Sequence, residues 1–207
     1  MHDLEPAFWT AGAEPDLAIV LVHGRGGSAA DMRRLAEAFA LDNVRFAFPQ
    51  ADGSVWYPKH FMSPIEENEP FLSAALENLE RTVAALMEEG FGQTRMVLGG
   101  FSQGACLVSE FLARHPRQYA GAVILTGGLI GPAGTKWPVR EELAGMPVHY
   151  SSSEIDEWIP LARARETIDW LTACGATVKA QIFRDRPHRV SEEEVGAARA
   201  IIDRARR

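Results

Sequence analysis

The chain has 207 residues, 46% of them hydrophobic, which is enough for one sizeable core and sets the expectation of a single domain over residues 1–207. Acidic side chains number 28 against 21 basic ones, a net charge of -7, and this excludes the basic surface that nucleic-acid binding needs. Only two cysteines are present, with no CxxC pair or His/Cys cluster, so neither a disulfide scaffold nor a zinc site is expected.

From the N-terminus, Met1 to Pro6 has neither the basic start nor the apolar stretch of a secretion signal, and no apolar run in the chain approaches a membrane span. A soluble cytoplasmic protein with no stable membrane insertion is the expectation. Leu17 to Val22 is continuously apolar, as a strand buried on both faces should be. Ser28 or Asp31 caps a helix expected to reach about Leu41. Val44 to Pro49 reads as the next strand. Residues 51–70 are irregular and carry Trp56, Tyr57, Phe61 and Met62 among several prolines. Phe71 to Glu89 has the periodicity of a long amphipathic helix that stops at Gly90.

Arg95 to Gly99 is a further strand, and Ala105 to Ala113 reads as helix. Ala122 to Thr126 and Pro147 to Ser151 are strands, with a Gly/Pro-rich loop from Gly127 to Pro138 after the first. Ile159 to Cys174 is helical, Val178 to Phe183 a strand, and Ser191 to Arg206 a closing helix. Strands separated by helices predict an α/β fold with a mostly parallel sheet covered on both faces.

Between the strand ending at Gly99 and the helix beginning near Ala105 lies Gly100-Phe101-Ser102-Gln103-Gly104. A Gly-x-Ser-x-Gly turn from strand to helix is the nucleophile elbow, which leaves a serine hydroxyl exposed above the sheet. A serine hydroxyl is a weak nucleophile near neutral pH and needs a base, which in turn needs an orienting acid. On this scaffold the chain order is Ser, then Asp or Glu, then His. Asp156 follows the strand ending at Ser151, with Glu154 and Glu157 as rivals. His188 follows the last strand and precedes the last helix.

His23-Gly24-Arg25-Gly26-Gly27-Ser28 follows the first strong strand. A phosphate loop is one reading of it, but GxxxxGK[ST] and GxGxxG are both absent. The better reading is half of an oxyanion hole, with the backbone N–H groups of Arg25 and Gln103 as donors.

His23-Gly24-x-Gly26, Gly100-Phe101-Ser102-Gln103-Gly104-Ala105, Asp156-x-Trp158-Ile159-Pro160 and His188-x-Val190 together resemble the phospholipase/carboxylesterase family of α/β-hydrolases. That family includes small bacterial carboxylesterases and the acyl-protein thioesterases. The resemblance spans nearly the whole chain. It implies Ser102 as nucleophile, His188 as base, Asp156 as its partner, and Arg25 and Gln103 as backbone oxyanion donors. It implies an α/β-hydrolase fold with no large lid domain, no cofactor and no metal. The chain departs from the family's usual apolar residue at Arg25, glycine at Ser153, proline at Glu157 and glycine at Pro187, and none of these removes a catalytic group. Arg25 has two readings: an arginine pointing into solvent, or a cation near the acyl pocket that favours a carboxylate-bearing or polar substrate.

Trp56, Tyr57, Phe61 and Met62 are expected along one wall of a substrate cleft, Leu129 along a second and Trp158 along a third. The expected partner is a small-molecule ester or thioester, lysophospholipids included. An exposed apolar patch near the cleft would support a homodimer. A catalytically silent binding protein on the same scaffold, or an acyltransferase or peptidase with the same three side chains, are the competing readings.

Overall fold

A computed structural model describes residues 2–206. Seven strands form one sheet: β1 (Ala7–Ala11), β2 (Leu17–Val22), β3 (Val44–Phe48), β4 (Met96–Phe101), β5 (Gly121–Leu125), β6 (Pro147–Ser153) and β7 (Thr177–Phe183). Their spatial order is β1-β3-β2-β4-β5-β6-β7. All neighbouring pairs are parallel except β1 with β3. Five α-helices cover the sheet: α1 (Ala29–Ala38), α2 (Phe71–Glu88), α3 (Gln103–Arg114), α4 (Leu161–Ala173) and α5 (Glu192–Ala205).

β2 shows why the expected apolar run is a strand. All six of its residues are buried, and they alternate between two cores. Ala18, Val20 and Val22 face the core under α2, α3 and α4. Leu17, Ile19 and Leu21 face Met32 and Ala36 of α1 and Ala198 and Ile202 of α5. Period-2 alternation between two apolar layers leaves no polar face, so the segment reads as unbroken hydrophobicity.

β1 is the strand that the sequence pattern does not reveal. It is a half-exposed edge strand with burial only at its end. Trp9 stacks on Phe46 of β3, ring centroids 5.1 Å apart, with the Arg33 guanidinium 3.7 Å above its ring. These cross-strand contacts, absent from local sequence, hold it in place.

The chain runs from β2 through α1 to β3 on one side, then crosses to β4 on the other side of β2. The direction of strand order therefore reverses between β2 and β4, and the crevice at the carboxyl ends of such strands is where ligands bind in open α/β sheets. Val22 pairs with Gly100 at this point, which brings the loops that follow the two strands side by side.

Candidate active site

The elbow begins where β4 ends and α3 starts. Ser102 has φ 54° and ψ -120°, a backbone conformation that L residues rarely adopt and that costs of order 1–3 kcal/mol. Surrounding contacts impose it. The Ser102 N–H donates to Leu125 O at 3.0 Å, and its carbonyl accepts the Cys106 N–H at 2.9 Å. The two flanking glycines let the turn close. A Cβ on Gly100 would lie 2.6 Å from the Gly104 carbonyl group. A Cβ on Gly104 would strike the carbonyl oxygens of Val22 and, at 2.5 Å, His23. A side chain at Gly100 would push α3 away from β4, and one at Gly104 would push it off the end of β2.

Two loops bring the remaining groups to Ser102. After β7, the ring of His188 sits beside Phe101, centroids 5.1 Å apart. The Ser102 hydroxyl donates to His188 Nε2 at 2.8 Å, and His188 Nδ1 donates to Asp156 Oδ2 at 2.8 Å. The tautomer follows from the partners, because a carboxylate can only accept. After β6, Asp156 Oδ1 accepts the N–H groups of Trp158 at 3.0 Å and Ile159 at 2.8 Å. Burial alone would push this carboxyl up; the bonds from His188, Ile159 and Trp158 outweigh it and hold Asp156 below its ordinary value. Glu154 and Glu157 are exposed, and His188 contacts neither of them.

Gln103 occupies the first position of α3, where a backbone N–H has no intrahelical acceptor. Across the crevice, a Cβ at Gly24 would lie 3.2 Å from Ser102 Cβ, so the loop carrying Arg25 abuts the serine. Among the described residues, no backbone carbonyl takes the N–H of Arg25 or of Gln103.

Side chains brace this arrangement. Gln103 is buried: its Oε1 accepts the Trp56 N–H at 3.0 Å and its Nε2 donates to Tyr57 O at 2.9 Å. Arg25 Nη2 donates to the same Tyr57 carbonyl at 2.7 Å and to Lys59 O at 3.0 Å. Buried His23 donates from Nδ1 to Gly24 O at 2.7 Å, while its Nε2 accepts the Ala51 N–H at 3.1 Å. A proton added at Nε2 would face that N–H donor.

Burial lowers the pKa of His23, and likewise of His2 and His149, below the ordinary 6.5. The unfolded chain therefore binds more protons than the folded one below pH 6.5. Their contribution is complete above pH 6.5 and is lost as pH falls through the lowered values. The expected result in urea titrations is constant stability from pH 8 to about 6.5, then a fall of up to about 1.4 kcal/mol per pH unit for each imidazole kept neutral. Unchanged stability down to pH 5 would rule this out.

The loop carrying His188 is held by a buried ion pair. Arg186 Nη1 donates to the carbonyls of Pro187 and Arg189, one on each side of His188. Its Nη2 donates to Thr126 Oγ1 at 2.7 Å, and its Nε lies 3.3 Å from Glu194 Oε2. Glu194 is fully buried and also accepts from Ser151 Oγ at 2.5 Å and Ser191 N at 2.7 Å. Glu192-Glu193-Glu194 reads as a solvated run at the start of a helix, and for Glu194 the structure corrects this. Ser191-x-x-Glu194 is a capping box, and that spacing was the available signal.

A cavity of about 260 Å³ opens above Ser102. Of the expected wall residues, Tyr57, Phe61 and Trp158 line it. Trp56, Met62 and Leu129 do not. Trp56 is wholly buried beneath the glycine loop, its Nε1 donating to His23 O at 2.9 Å. Leu129 is wholly buried, and the Arg163 guanidinium holds its carbonyl at 2.7 Å. Met62 packs against the core. Lys59, His60, Cys106 and Ile159 complete the lining and were not anticipated. Among the described residues no cluster of side chains suits a metal ion, and no helix is long and apolar enough to cross a membrane.

The mostly parallel sheet, helices on both faces and elbow above the switch point define an α/β-hydrolase fold without a large lid. The sequence pattern of the phospholipase/carboxylesterase family matches residues 9–205. The chain belongs to that family. It is 33% identical to a phospholipase/carboxylesterase from Dyadobacter fermentans, covering 96% of each chain with a TM-score of 0.88. Acyl-protein thioesterase 1 of Saccharomyces cerevisiae is 25% identical over 164 residues, 69% of this chain and 71% of the yeast protein. The carboxylesterase of Bacillus cereus, 21% identical, shares the fold with a TM-score of 0.77 over 97% of this chain and 93% of its own. The chain is thus a hydrolase of the esterase type.

Proposed function

We infer that the chain is a single-domain serine esterase, over residues 1–207, in which Ser102, His188 and Asp156 form a catalytic triad. The observation that carries this reading is the continuous path from the Ser102 hydroxyl through His188 to Asp156, 2.8 Å at each step, under an open cleft. His188 takes the hydroxyl proton as Ser102 Oγ attacks the ester carbonyl. Asp156 keeps the ring oriented and balances the imidazolium. The N–H groups of Arg25 and Gln103 hold the tetrahedral oxyanion. His188 then gives its proton to the departing alkoxide or thiolate, which leaves an acyl group on Ser102. Water enters, loses a proton to His188 and attacks the acyl carbonyl; the bond to Ser102 Oγ then breaks, His188 returns the proton to that oxygen, and the acid is released.

Tyr57, Phe61 and Trp158 form the apolar part of the substrate site. At about 260 Å³ the cleft falls below the roughly 300–1,000 Å³ of sites for drug-sized ligands, which favours a short substrate. Two free cysteines, both buried, fit a reducing cytoplasmic setting.

Hydrolysis of p-nitrophenyl esters from acetate to palmitate, with Ser102→Ala alongside, tests the reading. The expected result is a maximum among the short acyl chains that disappears in the variant. The thioesterases among the relatives make a matched acyl thioester the natural second substrate. A wild-type protein inert toward every ester and thioester would overturn the assignment.

A further inference from the structure

The charged lining of the cleft is one-sided. Both of its permanently charged side chains, Arg25 and Lys59, are cations, and no aspartate or glutamate borders it. Composition alone would give the opposite bias, since the chain carries a net charge of -7. Among the described residues neither Arg25 nor Lys59 forms an ion pair. Arg25 is also held in place. Both its bonds to backbone carbonyls come from Nη2, which leaves the N–H groups of Nε and Nη1 without a partner among the described residues. A guanidinium already anchored loses little further freedom on meeting a ligand, and its planar fork suits an oxyanion. Arg25 follows Gly24, where a Cβ would lie 3.2 Å from Ser102 Cβ, and it borders the same cavity as Ser102. Asp156, hydrogen-bonded to His188, does not border the cavity. An anionic group on the substrate is thus attracted toward Arg25 and Lys59.

We propose that the preferred substrates are short esters or thioesters carrying an anionic group, a carboxylate above all, bound by Arg25 and Lys59 a few atoms from the carbonyl that Ser102 attacks. This rests on the serine-esterase reading. Tyr57, Phe61 and Trp158 then border the carbon chain of the ester.

Two matched pairs of substrates, followed by acid release in a pH-stat, test it. Monomethyl glutarate against methyl pentanoate puts the carboxylate on the acyl side. The pentanoyl ester of glycolic acid against ethyl pentanoate puts it on the alcohol side. The readout is the anionic-to-neutral ratio of kcat/KM within each protein, so that any damage to the oxyanion loop affects both members and cancels.

The wild-type ratio is expected to exceed one by about tenfold in at least one pair, the scale of a single hydrogen bond to a charged group. It should fall toward one in Arg25→Gln and in Lys59→Gln, recover in part in Arg25→Lys, and shrink with added salt. The pair that shows the preference identifies the side on which the anion sits. Lys59→Gln decides the matter if Arg25→Gln does not fold, since only the Lys59 backbone is hydrogen-bonded.

A wild-type ratio at or below one in both pairs overturns the proposal, as does a ratio that neither the Arg25 nor the Lys59 variant moves. Neutral esters cleaved in a Ser102-dependent way with no anionic preference would sink this proposal alone. Neutral esters cleaved equally well by Ser102→Ala would sink the serine-esterase reading itself.

Discussion

Ser102→Ala is expected to lower kcat/KM by about 10⁴- to 10⁶-fold while the protein stays folded. The size of the loss follows from the proposed role: without the hydroxyl no acyl-enzyme could form, and only binding and the proposed oxyanion donors would remain to assist water. Retention of the fold follows from the structure. The bonds that impose the unusual backbone at Ser102 run through its own N–H and carbonyl, to Leu125 and Cys106, and these survive the change. The lost hydroxyl leaves His188 Nε2 without its partner, but the imidazole is partly open to water that can replace it. Mass spectrometry of the wild type quenched during turnover should find the substrate's acyl mass on the peptide containing Ser102. Turnover by Ser102→Ala within tenfold of wild type would exclude the serine as nucleophile.

Glu194→Ala is expected to destabilise the protein by about 3–5 kcal/mol, a large share of the roughly 5–15 kcal/mol available to a domain. Removing the carboxylate leaves Arg186 as a buried cation without its counter-ion and takes the acceptor from Ser151 and Ser191. It also undoes the capping box of α5. Because Arg186 grips the carbonyls on both sides of His188, the damage should reach catalysis. A displacement of about 1 Å at the base is worth about 10²-fold in rate. Glu194→Gln keeps the shape and some of the hydrogen bonds, and should fall between wild type and alanine on both scales. Guanidinium titrations and kcat/KM on one short ester measure the two effects. Stability and activity both equal to wild type in Glu194→Ala would show that this buried pair holds nothing in place.

Which features could be read from the chain depends on where their determinants lie. β2 is legible because burial on both faces writes itself as an uninterrupted apolar run. β1 is not, because its place rests on Trp9 meeting Phe46 and Arg33, contacts that local periodicity does not encode. The three polar groups beneath the cleft were readable as candidates because their chemistry requires a fixed order along the chain, each group after a strand. The cleft wall was less so. Residues 51–70 contain two short 3₁₀ turns and no sustained period, so nothing in the sequence separates Trp56, which faces the core, from Tyr57, which borders the cavity. Lys59 and His60 lay hidden for a related reason: an aromatic-rich stretch draws attention to its apolar side chains. Arg186 and Glu194 carry charges that usually mark a surface, and their burial is visible only once β5, β6 and α5 are packed together.

Cys106 lines the floor of the cleft yet is almost wholly enclosed, and burial pushes its thiol up to about 12. It sits four residues from Ser102 on the first turns of α3, and burial keeps it a protonated thiol near neutral pH. With the proposed triad, this gives the site a division of reactivity: an electrophile that seeks an activated hydroxyl has a target in Ser102, and one that seeks a thiolate finds none in Cys106. Alkylation at Cys106 then becomes a clock for the opening of the layer between α3 and the sheet, read in the same molecule whose serine reports that the site is intact.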